Sequence, residues 1–312
     1  MQWKKIKTLY ILCFLILDIY LLLMFVNKQS ASEFAMPDTS SSTFEEQLEA
    51  EDISISADLP DGEFNAPYLS LNQKTFTDEE LTFFEETENQ QTEVINENFI
   101  FSRFEKPVAI PEDADGKLIS KIVKSSILLS DHYTFGSWNK EMNILVFFQQ
   151  KNGLPIYYTQ NGIVLVYLND DNEMIFYTQT MLGEDESPSE EKSLIEPRTA
   201  IQALFTGNSL EYGDEITGVN MGLHRRIQVD SGEQVFSPTW TVTVNDEEYF
   251  YVNAIENLIA SSDEQTFLLG SITSTIEQIQ KSLDDDSEIK DFALSHLNEI
   301  LTSNQQSESE IE

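Results

Sequence analysis

Few side chains in this 312-residue sequence stand at a spacing that chemistry requires. Ser130, Asp131 and His132 are the residue types of a hydrolytic triad. A triad is assembled by tertiary geometry and not by adjacency along the chain, so the three read as loop residues. The histidines, His132, His224 and His296, are far apart and fall in different predicted elements, which leaves no zinc-ligand spacing. Asp170, Asp171 and Glu173 lack the spacing and the glycine of an EF-hand loop and read as a solvated turn. The single cysteine, Cys13, lies in an apolar run, so the rest of the chain holds neither a disulfide nor a thiolate site. No glycine-rich phosphate loop, HExxH or GxSxG pattern occurs. Carboxylate pairs suited to a glycosidase arise by chance in so acidic a chain, and no pair stands out. No catalytic, cofactor-binding or metal-ligating residue is assigned, and no cofactor is expected.

Two groups remain as candidates for binding. Leu9 to Val26 is an eighteen-residue apolar run with one charge, Asp18, and as a helix it is about 27 Å long, close to the thickness of a bilayer core. A carboxylate near the middle of a span costs about 2.5–3.5 kcal/mol on insertion scales. Ile11, Phe14, Leu15, Leu22 and Phe25 share its helical face, and this stripe with Asp18 is the candidate contact surface for another membrane helix. The alternative is a protonated Asp18 that is simply tolerated. The second group, His224, Arg225 and Arg226, is the compact basic cluster outside the anchor. Its two readings are ion pairs with neighbouring acids and a docking point for a partner.

Charge sets the broad function class. Lys4, Lys5 and Lys7 precede the run and Lys28 follows it, so the positive-inside rule places the N-terminus in the cytoplasm and the remainder outside, in a single-pass arrangement. Lys28 to Glu33 offers only a weak signal-cleavage site, so an uncleaved anchor is expected. The whole chain carries a formal charge of −37, and the part from residue 31 onward carries 14 basic against 54 acidic side chains. Such a body is repelled by nucleic acid and by anionic polymers, which argues against a nucleic-acid partner. It reads either as a solubilising surface or, functionally, as a cation-attracting surface or an acidic docking face.

The elements that position these groups follow an α+β pattern: an N-terminal transmembrane helix, then an ectodomain of two helix-plus-antiparallel-meander units. Residues 1–8 are cytoplasmic, 9–26 span the membrane, and 27–61, rich in Ser and acids, form a flexible stalk. The first unit covers 62–182. In it Thr77 and Glu80 form a capping box, Asn98 to Phe104 is a strand, Lys117 to Ser130 an amphipathic helix, and Met142 to Met181 a four-strand meander punctuated by Asn-Gly turns. Residues 183–193 are an acidic linker. The second unit, 194–262, opens with a helix started by Pro197 and stopped at Gly207 and continues with three strands. Two helices over 263–302 and a disordered polar tail over 303–312 complete the chain.

Taken in order, several blocks resemble one family. Trp3-Lys4-Lys5-Ile6-Lys7-Thr8 and Phe14-Leu15-Ile16-Leu17-Asp18 are similar to the anchor of YycI (WalI) proteins. These are accessory membrane proteins of the essential cell-wall two-component system of low-GC Gram-positive bacteria. Tyr68-Leu69-Ser70, Phe76-Thr77-Asp78-Glu79-Glu80-Leu81, Gly153-Leu154-Pro155-Ile156-Tyr157, Pro238-Thr239-Trp240 and Tyr251-Val252-Asn253-Ala254-Ile255 resemble its ectodomain blocks. The resemblance implies an extracytoplasmic α+β domain related to part of YycH. It further implies that both proteins act on the sensor histidine kinase YycG (WalK), with contacts between membrane helices and without catalytic residues. The chain after about residue 264 and its acidity exceed the family pattern. The expected function is a non-enzymatic regulator of that kinase. The alternative is a membrane-anchored extracellular enzyme or a cell-wall or cation-binding module.

Overall fold

The structure is a computed structural model that describes residues 43–185, 189–228, 233–260, 263–283 and 287–311, with Lys7, Phe14 and Leu15. The expected anchor thus lies outside the described residues apart from Phe14 and Leu15, which are helical and exposed. Among the described residues no helix is long and apolar enough to cross a membrane.

The chain divides after Glu51 into two units. In the first, α1 (Phe44–Ala50) interrupts the stretch expected to be a structureless stalk. Its cause is local: Thr43 accepts from the Glu46 amide while the Glu46 carboxylate accepts from the Thr43 amide, a reciprocal capping box. The same T-x-x-E spacing starts α2 (Asp78–Glu86) in the second unit, where Thr77 and Glu80 cap each other as expected.

The second unit is mixed α+β, and among its described residues fourteen strands form one sheet with two lobes. The first lobe contains β4 (Gln90–Ile95), β5 (Phe99–Ala109), β6 (Tyr133–Asn139), β7 (Ile144–Lys151), β9 (Ile163–Leu168) and β10 (Glu173–Thr180). Its order β7-β9-β10-β5-β4 is antiparallel, with β6 also on β7. The expected four-strand meander is corrected in one respect: β7 pairs with β9 and not only with the hairpin strand between them. That strand, β8 (Leu154–Tyr157), makes two pairs with β7 and then runs parallel to β13 (Glu215–Gln228) of the second lobe.

The second lobe joins β13 to β14 (Gln234–Val244) and β15 (Glu248–Asn253), with β16 (Leu258–Ala260) on the edge of β15. It also takes in strands from distant sequence: β1 (Ser54–Ile55) on β13, β3 (Leu69–Gln73) on β14, and β11 (Leu182–Asp185) on β3. A separate pair joins β2 (Asn65–Ala66) to β12 (Lys192–Ser193). The division into units 62–182 and 194–262 therefore does not follow the pairing. Strands β1 and β3, from before residue 74, belong with the second lobe, and the expected linker 183–193 contributes to strands β11 and β12. Local pattern reveals a strand but not a partner more than 100 residues away.

Both faces of the first lobe are covered. Ile144, Val146 and Phe148 point to one face, against α5 (Glu264–Ser282) and α6 (Glu288–Ile311). Leu145 and Phe147 point to the other, against Ile119 and Val123 of α3 (Gly116–Val123). Two covered faces explain why β7 and β9 are continuous apolar runs. Helix α3 starts at the Asp115 cap and ends earlier than expected, and Ile127 remains buried in the turn that follows. Helix α6 continues to Ile311 where a disordered tail was expected. Helix α4 (Pro197–Thr206) begins and ends as Pro197 and Gly207 predict, burying Ala200, Ile201 and Leu204.

Candidate functional site

The two lobes meet at β8, and the residues that end it create a cleft. Asn152 and Gly153 both have positive φ (52° and 78°), which the tight turn from β7 into β8 requires. Tyr157 and Tyr158 then close the strand. In an extended strand neighbouring side chains point to opposite faces, but Tyr158 has φ of 48°, a conformation that a bulky residue rarely adopts. The chain reverses there, and both rings pack edge-on against Phe148, with centroids 5.1 Å and 5.5 Å away. Tyr251, projecting from β15, meets Tyr157 at 5.3 Å and Tyr158 at 5.5 Å, and its hydroxyl donates to the Tyr158 hydroxyl at 3.2 Å. Phe267 of α5 completes the Tyr158 surroundings at 5.3 Å.

The first carboxylate of α5 borders the same space. Ser137 donates to Glu264 Oε2 at 2.7 Å and Asn139 to Oε1 at 3.3 Å, which fixes the end of α5 against β6. The preceding Asp263 caps the helix, accepting from the Thr266 amide at 2.8 Å. Two adjoining cavities result, of about 850 Å³ and 480 Å³, and both are bordered by Phe135, Ser137, Tyr158, Tyr249 and Glu264. Their size suits a small-molecule or peptide site.

Burial governs the titration of the lining. It pushes the Tyr158 hydroxyl up to about 12, and it pushes Tyr251 upward, reinforced by the neighbouring Tyr158. Tyr157 moves the same way; its hydroxyl feels that of Thr241 without completing a hydrogen bond to it. His224 lies beside this cluster, 5.6 Å from Tyr251 and 6.4 Å from Tyr158, and burial lowers its pKa below the ordinary value. Its Nδ1 faces the Arg225 carbonyl at 3.2 Å. The tyrosines are thus held as neutral hydroxyls that offer stacking and hydrogen bonding to the cleft, while His224 packs behind them against Tyr158 and Tyr251.

The sequence-derived candidates separate in space. Of the cluster, only His224 packs against tyrosines that line the cleft, and it does not itself border either cavity. Arg225 is exposed, and Arg226 pairs with Glu256, its Nε donating to Oε2 at 3.1 Å, and lies 5.2 Å over the Tyr68 ring. For Arg226 the ion-pair reading holds. Ile11, Asp18, Leu22 and Phe25 of the membrane-face stripe lie outside the described residues. Asp170 and Asp171 sit in a turn closed by Asn169, whose Oδ1 accepts from the amides of Asp171 and Glu173 at 3.1 Å and 2.9 Å. Among the described residues no group of three or more His, Cys, Asp and Glu side chains could hold a metal. Sequence reasoning missed Tyr157, Tyr158, Tyr251 and Glu264. The signal available was a Tyr-Tyr pair separated by three residues from the Asn152-Gly153 turn, but nothing local told which ring faced where.

Among solved structures, the chain is similar to an uncharacterized protein from Eubacterium rectale, at 8% identity and a TM-score of 0.42, covering 68% of this chain and 91% of that one. It is also similar to YycH from Bacillus subtilis, at 15% identity and a TM-score of 0.38, covering 64% of this chain and 54% of that one. A comparison with curated proteins gave no match. The blocks that run from Tyr68 to Ile255 in the sequence occupy the cleft's surroundings and both lobes. The YycI protein family, whose model matches residues 33–255, accounts for them in order, and the chain belongs to that family.

Proposed function

We propose that the protein is a non-enzymatic, membrane-anchored regulator of a cell-wall sensor histidine kinase of the YycG (WalK) type, acting together with a YycH-type accessory protein. The observation that carries this reading is membership of the YycI family over residues 33–255. Residues 9–26 anchor the chain with its N-terminus in the cytoplasm and its main unit outside the cell. Ile11, Phe14, Leu15, Asp18, Leu22 and Phe25 form the face that meets a partner helix, and burying Asp18 against a polar partner offsets its cost in lipid. A regulator changes the kinase's balance only through its differential affinity for the two kinase states.

Crosslinking of the full-length protein and of a version with an unrelated anchor to the kinase in native membranes tests this. Loss of the crosslink on swapping the anchor, and weaker co-purification of Asp18→Leu from membranes that still retain it, are the expected results. Absence of a crosslink to the kinase with either protein would overturn the proposal.

A further inference from the structure

The cleft beside β8 carries a chemistry that regulation of a kinase does not use. Five consecutive residues of β6, Thr134 to Trp138, border the two cavities, so the edge of this strand faces the space rather than one of its sides. Among the described residues β6 pairs with β7 alone, which leaves backbone donors and acceptors along that edge. The outer cavity is rimmed by Glu112, Glu247, Glu248, Asp263 and Glu264 against one base, Lys140. Lys140 rests its ammonium over the Trp138 ring and so occupies that aromatic face, which leaves the five carboxylates as the groups of the rim that can take a further cation. Deeper in, Thr241 is 4% exposed and lines the inner cavity, and its hydroxyl has no hydrogen-bond partner. Beside the Tyr157 hydroxyl, that group is open to a hydrogen bond from water or from a polar atom of a ligand entering the cavity.

We infer that this cleft binds an extended peptide segment bearing a lysine or arginine side chain. The peptide backbone pairs with the free edge of β6, its cation lies among the rim carboxylates beside Trp138, and a polar group of the peptide reaches Thr241. The edge gives affinity through main-chain hydrogen bonds, and the carboxylate rim selects for the positive side chain.

The test uses the full chain in detergent micelles at physiological salt, where nonspecific attraction to an acidic protein is screened. The probes are a blocked heptapeptide with one central lysine and its counterparts carrying acetyl-lysine or norleucine there, titrated by calorimetry. The lysine peptide is expected to bind about tenfold more tightly than either counterpart, as one charge-assisted contact implies. Glu247→Gln with Glu248→Gln, both exposed in the wild type, is expected to erase that difference. Glu85→Gln with Glu86→Gln, equally exposed but on α2, is expected to leave it. Hydrogen exchange at Thr134 to Trp138 should slow when the peptide binds. No binding, equal affinity for all three peptides, or equal loss in the α2 variant would each overturn the inference, the last by reducing it to bulk attraction. Because it is measured without the kinase, its outcome is independent of the proposed regulation.

Discussion

His224 shows how one side chain can serve two regions of the molecule. Its backbone is part of the β13 to β8 pairing, opposite Tyr157, while its ring packs by Tyr251 and Tyr158. Burial depresses its pKa below the ordinary 6.5, against a smaller opposing effect from the Arg225 carbonyl. The unfolded chain then takes up a proton at a pH where the folded chain resists it. Stability is fully present above about pH 6.5 and is lost as pH falls from there toward the depressed folded value. His296, set against Tyr167 and Phe176, shifts in the same direction, again mainly by burial. The melting temperature is therefore expected to drop between pH 7.5 and 5.5, and to drop less in His224→Asn. An unchanged slope in that variant would show that His224 is protonated freely in the fold. The capped acids Glu80 and Asp263 do not confuse the measurement, because their lowered pKa values place their titration below this window.

At the scale of elements, the bridge between β8 and β13 is narrow, with only Leu223 opposite Ile156 and His224 opposite Tyr157. Gly222 makes the approach feasible. A Cβ there would lie 2.3 Å from Tyr157 Cε2 and 3.2 Å from the Pro155 carbonyl oxygen. The Tyr157 ring has little freedom to yield, being held between Phe148 and Tyr251. Gly222→Ala is expected to cost about 1–3 kcal/mol in urea unfolding and to disturb the tyrosine cluster in near-ultraviolet dichroism. Gly183→Ala is the control, since its Cβ would meet only the Asn72 carbonyl oxygen at an ordinary 3.5 Å. Equal stability of the two variants would mean that the lobes part without strain. The same bridge puts two tyrosines and the flank of α5 around one cavity, so it controls the cleft as well as the junction.

Across the whole second unit, helices α5 and α6 belong to the core although the family match ends at residue 255. Leu268, Ile272, Ile279, Ile289 and Leu297 are at most 1% exposed, packed with Phe101, Val146, Leu165 and Phe176 of the sheet. Each such burial contributes about 1.5–3 kcal/mol, so together they rival the net stability of a domain, about 5–15 kcal/mol. Lys290 ties the start of α6 to the end of α5, its Nζ donating to the carbonyls of Leu283 at 2.9 Å and Gln280 at 3.3 Å. A chain ending at Ala260 is expected to lose cooperative unfolding in calorimetry and to aggregate through the exposed sheet face. Retention of a cooperative melt would show that the first lobe is stable with one face bare. For the function, this makes the C-terminal extension a structural part of the domain and places Asp263 and Glu264 at the cleft.

The sequence by itself determined the local features: the Thr77 and Pro197 helix starts, the Gly207 stop, the Asn-Gly turns, the β13 alternation and the amphipathic C-terminal helices. Each depends on residues within a turn or two of one another, and the local physics is decisive there. The capping box at Thr43 was equally legible and was hidden only by the acidic composition around it. The order of blocks identified the family, because order and spacing survive where no chemical motif exists. Tertiary structure decided the rest. Strands β1, β3 and β11 join the second lobe through pairings as distant as Leu69 with Phe236, and loop closure over such lengths leaves no local mark in the sequence. The cleft shares this origin. Trp138, Tyr158, Thr241 and Glu264 come from four separate elements, and only the meeting of the lobes at β8 makes neighbours of them.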